Sequence, residues 1–166
     1  MSRAPSDQVD AVLLAARAAT LQSGFAIEQL PRLAEAGALA GTQANATLRF
    51  STFEGKPAID VRVEGNVVLS CQRCLQPVSV VIDESATVVV VPTLDGIAST
   101  GYEPYEGDAE HLPLAGLVEE QVLLGMPLVP MHEEGTPCAR DAARARPLTP
   151  DAGVPVDRQR PFANLR

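Results

Sequence analysis

The chain has 166 residues, a formal net charge of 13 − 21 = −8, 46% apolar residues and only 4% aromatics. That length and apolar fraction suit one domain with a core of Val, Leu, Ala and Ile, and no apolar run reaches the roughly 18 residues of a membrane span. Three cysteines are an odd number, which argues against a disulfide framework.

The first periodic segment spans residues 6–22. Ser6 or Asp7 can cap it, and Val9, Val12, Leu13 and Ala16 recur at helical spacing, so a helix is predicted there. Its apolar stretch follows Asp7 and Asp10 rather than a basic segment, so it does not read as an export signal and the cytoplasm is the expected compartment. A short second helix is expected over 27–36, with Pro31 in its first turn and Gly37 after it.

The period then changes to two. Strands are predicted at about 45–53, 57–64, 67–72 and 78–91, broken at Glu54–Pro57, at Gly65-Asn66 and at Gln76-Pro77. Ile59, Val61 and Val63 should face inward, with Asp60, Arg62 and Glu64 outward. Short turns between closely spaced strands imply an antiparallel meander, and with the helices an α+β fold. Residues 92–109 read as an acidic Pro/Gly loop containing Tyr102-Glu103-Pro104-Tyr105. A last helix is expected at about 112–126, with Leu114, Leu117, Val118, Gln121 and Val122 on its buried face, Glu119-Glu120 on a solvated one, and Pro127 as its stop. The expected organisation is a single domain over 1–138 and a flexible, Pro/Arg-rich basic tail over 139–166, in which Phe162 and Leu165 could dock back as one helical turn.

Charge divides along the same line. Between Cys74 and Ala139 there is no Lys or Arg, only acids from Asp83 to Glu134; residues 140–166 carry six Arg against Asp141, Asp151 and Asp157, a net of 6 − 3 = +3. An acidic body repels phosphate and attracts basic proteins, although acids also serve plain solubility.

The chemistry-bearing motif is Cys71-Gln72-Arg73-Cys74. A two-residue spacer lets both thiolates reach one ion; His132 and Cys138 could complete a tetrahedral zinc site, with His111 a weaker candidate. Three readings stand side by side: structural zinc, thiols packed without metal, and a redox dithiol. The last lacks the helix N-terminus that lowers a thiol pKa, because more strand follows Cys74. Arg73 could meet an RNA phosphate, a carboxylate or only solvent. No Gly-rich phosphate loop and no zinc-protease His cluster occurs, so nothing motivates a catalytic assignment.

Four stretches in order resemble the YceD-type large ribosomal RNA subunit accumulation protein family: Cys71-Gln-Arg-Cys-Leu-Gln-Pro77; Tyr102-Glu-Pro-Tyr-Glu106; Leu117 to His132 with its Pro-Leu-Val-Pro-Met-His ending, followed by Cys138; and Arg160-Pro-Phe-Ala-Asn-Leu165. Some relatives carry further cysteines after the helix, where this chain has His132 and Cys138. The resemblance implies a non-catalytic factor in 23S rRNA accumulation and large-subunit biogenesis. Its partner would be ribosomal RNA or a basic ribosomal or rRNA-processing protein, and its candidate binding residues are Arg73, Tyr102, Glu103, Tyr105 and Phe162. The alternatives are a zinc- or thiol-dependent enzyme, such as a nuclease or redox protein, and an acidic protein-binding module unrelated to RNA.

Overall fold

The computed structural model describes residues 8–94 and 102–138. Contacts divide the chain into two units, Met1–His132 and Glu133–Arg166. The expected tail, with Phe162 and Leu165, lies outside the described residues. Of the second unit, residues 133–138 are described; there the Thr136 N–H and hydroxyl both donate to the Glu133 carbonyl, at 3.4 and 2.9 Å.

In chain order the first unit comprises β1 (Gln8–Val9), α1 (Ala11–Ala16), β2 (Thr20–Ala26), a 3₁₀ turn (Ile27–Gln29), α2 (Pro31–Glu35), β3 (Gln43–Phe53), β4 (Lys56–Ser70), β5 (Pro77–Val91), β6 (Glu103–Glu106), β7 (Leu112–Pro113) and α3 (Leu114–Gly125). It is an α+β architecture with a mostly antiparallel sheet. The five strands run in the order β2-β3-β4-β5-β6, and β1 pairs separately with β7.

The predicted helix over 6–22 is corrected to the short α1. Asp10 caps it by accepting from the Leu13 N–H at 2.8 Å. Ala18 then takes a left-handed backbone, φ 48°, which ends the helix. From Thr20 the exposure alternates to buried Phe25, and the segment pairs with β3 from Thr20↔Arg49 to Ala26↔Gln43. The helical spacing of Val9, Val12, Leu13 and Ala16 hid this change of period. The short second helix forms over Pro31–Glu35 rather than from 27, because a separate 3₁₀ turn occupies Ile27–Gln29; Pro31 takes its first position and Gly37 follows it at φ +97°.

Two predicted strands merge. β4 runs fifteen residues without a break, and Gly65-Asn66 lies inside it, paired on both sides. Gly65 marks a close approach rather than a turn: a Cβ there would meet the Gln43 carbonyl oxygen and lie 2.9 Å from the Ala44 Cα. Ile59, Val61 and Val63 face inward as predicted, all at 1% exposure or less.

The sheet packs one face against α1 and α3, with α2 against α3. Leu30, Leu33, Leu48, Ile59, Leu117, Val118 and Val122 are fully buried, and emptying one such Leu site typically costs about 2–5 kcal/mol. On the last helix Leu114, Leu117, Val118, Gln121 and Val122 are buried as predicted, but Glu119 is buried too, at 3% exposure, so the solvated reading of that carboxylate is corrected.

The expected acidic loop contains a strand. β6 runs parallel to the end of β5, from Val88↔Glu103 to Val91↔Glu106. Four residues with an internal proline carry too little alternation to announce a strand, but Pro104 is tolerated there because β6 is the edge. Among the described residues no helix is long and apolar enough to cross a membrane.

Candidate metal centre

The Cys71–Cys74 segment is the turn of the β4–β5 hairpin. Ser70 pairs with Pro77, the Cys71 N–H donates to the Gln76 carbonyl at 2.9 Å, and the Leu75 N–H donates back to the Cys71 carbonyl at 2.9 Å. Leu75 takes φ 62°, and the Ser70 hydroxyl holds its carbonyl at 3.2 Å. This tight turn puts the backbone N–H of Arg73 3.5 Å from the Cys71 sulfur. An N–H aimed at sulfur favours the thiolate, the form that binds metal. Burial alone pushes the Cys71 thiol up. The backbone donors of Arg73, Cys74 and His132, with the His132 ring, more than offset it and bring the thiol to about 5.

The segment after α3 closes on this turn. The Gln72 N–H donates to the buried Pro130 carbonyl at 2.9 Å, and the Arg73 guanidinium lies 3.6 Å from the Met131 sulfur. His132 is thereby placed with Nδ1 3.5 Å from the Cys74 Sγ and Nε2 3.1 Å from the Pro77 carbonyl oxygen. A carbonyl only accepts, so Nε2 carries a proton directed at Pro77. A backbone carbonyl on the far ring nitrogen is the usual support of a metal-ligating histidine.

Within the first unit the ligand atoms of Cys71, Cys74 and His132 all lie within 4.8 Å of one another. The chemistry of the donors fits: two thiols and one imidazole nitrogen are zinc ligands by type, and a tetrahedral site takes one more. The distance fits as well, since tetrahedral zinc sets sulfur and nitrogen ligands about 3.5 Å apart and sulfurs about 3.8 Å apart. His111 stays outside the group; its Nδ1 lies 2.9 Å from an Asp108 carboxylate oxygen on an exposed loop.

Among the described candidate binding residues, Arg73 stands in the thiol turn, while Tyr102, Glu103 and Tyr105 lie in or beside β6. Tyr102 packs on Phe53, ring centroids 4.5 Å apart and planes 60° apart, and covers the buried trio Ala58, Val89 and Val91. Glu103 is exposed at the start of β6, and Tyr105 is half-buried beside α3. Burial and the Glu120 carboxylate push the Tyr105 phenol up, with Arg32 pulling the other way. Sequence reasoning missed Gln72 and Pro130, whose backbone bond ties the two halves of the centre; only the order of the motifs hinted at it.

Comparison with known proteins adds the remaining finding. A family model described as "Large ribosomal RNA subunit accumulation protein YceD" matches residues 59–166. A protein of Haemophilus influenzae bearing that same name is 34% identical over 112 residues, 65% of this chain and 64% of the relative, so the match leaves part of the relative's length uncovered. No solved structure matches. The matched span begins inside β4 and takes in the thiol turn, β5, β6, α3 and His132, and with them the chain belongs to the YceD family of large ribosomal RNA subunit accumulation proteins.

Proposed function

We propose that the chain is a non-catalytic accessory factor in the accumulation of large-subunit (23S) ribosomal RNA, working in the cytoplasm by binding protein, rRNA or both. The family match carries this reading. In it the Arg-rich segment 139–166 contacts RNA phosphates, and the acidic body holds a basic protein.

In the same reading Cys71, Cys74, His132 and Cys138 hold a structural zinc ion. Four protein ligands leave no open coordination position, which catalytic zinc requires. Cys71 is 0% exposed and stands in a hairpin turn rather than at a helix N-terminus, which speaks against thiol catalysis and redox exchange. Zinc would anchor Pro130–His132 to the hairpin and add folding free energy.

The test is genetic. Deleting the gene and measuring large- and small-subunit rRNA should show a selective fall in the large species. Unchanged rRNA in the deletion strain sinks the reading. A Cys71→Ser protein that stays folded but loses function would favour the enzyme alternative.

A further inference from the structure

Among the described residues the sheet has an unpaired stretch of edge whose hydrogen-bonding phase follows from the β4–β5 ladder. The β4–β5 register is unbroken from Ser70↔Pro77 to Ala58↔Val89. One step beyond Ser70, the Cys71 N–H donates to the Gln76 carbonyl, so Cys71–Gln76 is a hydrogen-bonded position. Positions alternate in an antiparallel ladder. Pro77 therefore sits where no N–H is needed, and Ser79, Val81, Asp83 and Ser85 direct their N–H and C=O groups away from β4. The far end of β5 agrees: the Val91 carbonyl, in the same phase, accepts from the Gly107 N–H at 2.9 Å on the β6 side.

β6 fills that side only from Val88 to Val91. Among the described residues no strand pairs with β5 beyond β4 from Ser79 to Ser85. Edges of this kind are usually blunted by lysines, prolines or bulges. Here the register holds no bulge, the stretch holds no Pro and no Lys, and Val81 at its middle is 77% exposed.

Charge narrows what fits. No Lys or Arg occurs from Leu75 to Cys138, so β5, β6 and α3 carry only acids, with Asp83 and Glu84 beside Val81 and Glu103 and Glu106 on β6. Arg62 of β4 is the nearby cation, and it already bridges Glu64 at 3.1 Å and Asp83 at 3.2 Å. A second copy would bring the same acids and the same −8.

We propose that the open β5 edge from Ser79 to Ser85 is a strand-addition site for a basic, extended segment of a partner protein. Backbone hydrogen bonds supply the affinity, and the acids around the edge select cationic side chains. This rests on the reading above that the chain acts by binding, and it names the surface and the partner's chemistry.

The probe is a labelled peptide of about ten residues that alternates Lys with Val and Thr, long enough to span the edge at about 3.4 Å per residue. It is compared with a Glu-for-Lys version and with a Lys version N-methylated at every second residue. Fluorescence anisotropy at low salt should show binding of the basic peptide, and weakening by about tenfold or more for each of the other two. Amide resonances of Ser79, Val81, Asp83 and Ser85 should shift with the basic peptide.

Val81→Pro removes an N–H that β4 does not use, so it should weaken binding by about tenfold or more, while Val81→Ala stays within about twofold. The N-methylated peptide makes the same test on the wild-type fold should Val81→Pro unfold. No binding of the basic peptide, equal binding of the acidic one, or undiminished binding by Val81→Pro or of the N-methylated peptide overturns the proposal. So does a wild-type dimer that Val81→Pro dissociates, or RNA shifting the same amides. Normal rRNA in the deletion strain would remove the accumulation reading while leaving the peptide result standing, so the two failures are told apart.

Discussion

The Glu119 carboxylate of α3 accepts a hydrogen bond from the Leu33 backbone N–H at 2.9 Å, across 86 positions of sequence. Leu33 is the third residue of α2, a helix whose preceding residue, Leu30, offers no side-chain cap. Glu119 therefore supplies from a distant helix what a local Ser or Asp ordinarily supplies. We expect Glu119→Ala to lower stability by about 1–3 kcal/mol in urea unfolding, because a buried donor loses its acceptor. Glu119→Gln keeps an acceptor oxygen and should cost less. Equal losses for both variants would remove the capping role.

The four-ligand reading predicts about one zinc per chain in protein purified without chelator. Cys71→Ser, Cys138→Ser and His132→Ala should each lose most of that metal, and a chelator should lower the melting temperature of the wild type. Metal retained by Cys138→Ser would show that Cys138 is not a ligand.

Gly65 gives a steric prediction. Gly65→Ala pushes a methyl group into the β3 backbone at Gln43 and Ala44, and backbone cannot yield as a flexible side chain does. A loss of about 1–3 kcal/mol is expected, read by chemical denaturation. The contrasting variant is Gly37→Ala, which has open space around the new methyl and carries only the strain of φ +97°.

The His111–Asp108 pair gives a pH prediction. The hydrogen bond and charge of Asp108 raise His111 above its ordinary 6.5, and the His111 hydrogen bond, with the Glu110 N–H, holds Asp108 below its ordinary 3.8. A raised histidine contributes stability that is fully present below 6.5 and lost as pH rises through its raised value. A lowered carboxylate contributes stability present above 3.8 and lost as pH falls through its lowered value. The pair therefore acts between those two limits, and its exposure keeps the effect small. An NMR titration of His111 should show its midpoint fall in Asp108→Asn; an unchanged midpoint would rule out the pairing.

The strongest periodicities were legible in sequence. Ile59, Val61 and Val63 alternate cleanly because one side of β4 is core and the other is water, and α3 shows its stripe for the same reason. The grouping of the thiol turn with His132 was legible because thiols and imidazoles are rare here, three Cys and two His in the whole chain. What stayed hidden depends on tertiary pairing. β2 carries Gln, Ser and Gly at an edge, where packing barely shapes composition. β6 is four residues held by one neighbour. Glu119 looked solvated because nothing local reveals that a distant N–H needs an acceptor. Gly65 reads as a break in one dimension and as a close approach in three.

The pairing of Gln8 with Pro113 and Val9 with Leu112 bears on the order of assembly. The meander from β2 to β5 joins neighbours in sequence and can form as soon as its residues emerge during synthesis. The partner of β1, the Glu119 acceptor and His132 all come later in the chain. In the zinc reading the thiols of Cys71 and Cys74 thus leave the ribosome as an incomplete pair, with His132 and Cys138 still to follow in the chain. Metal capture would then be a late event, sealing a sheet already built rather than nucleating it.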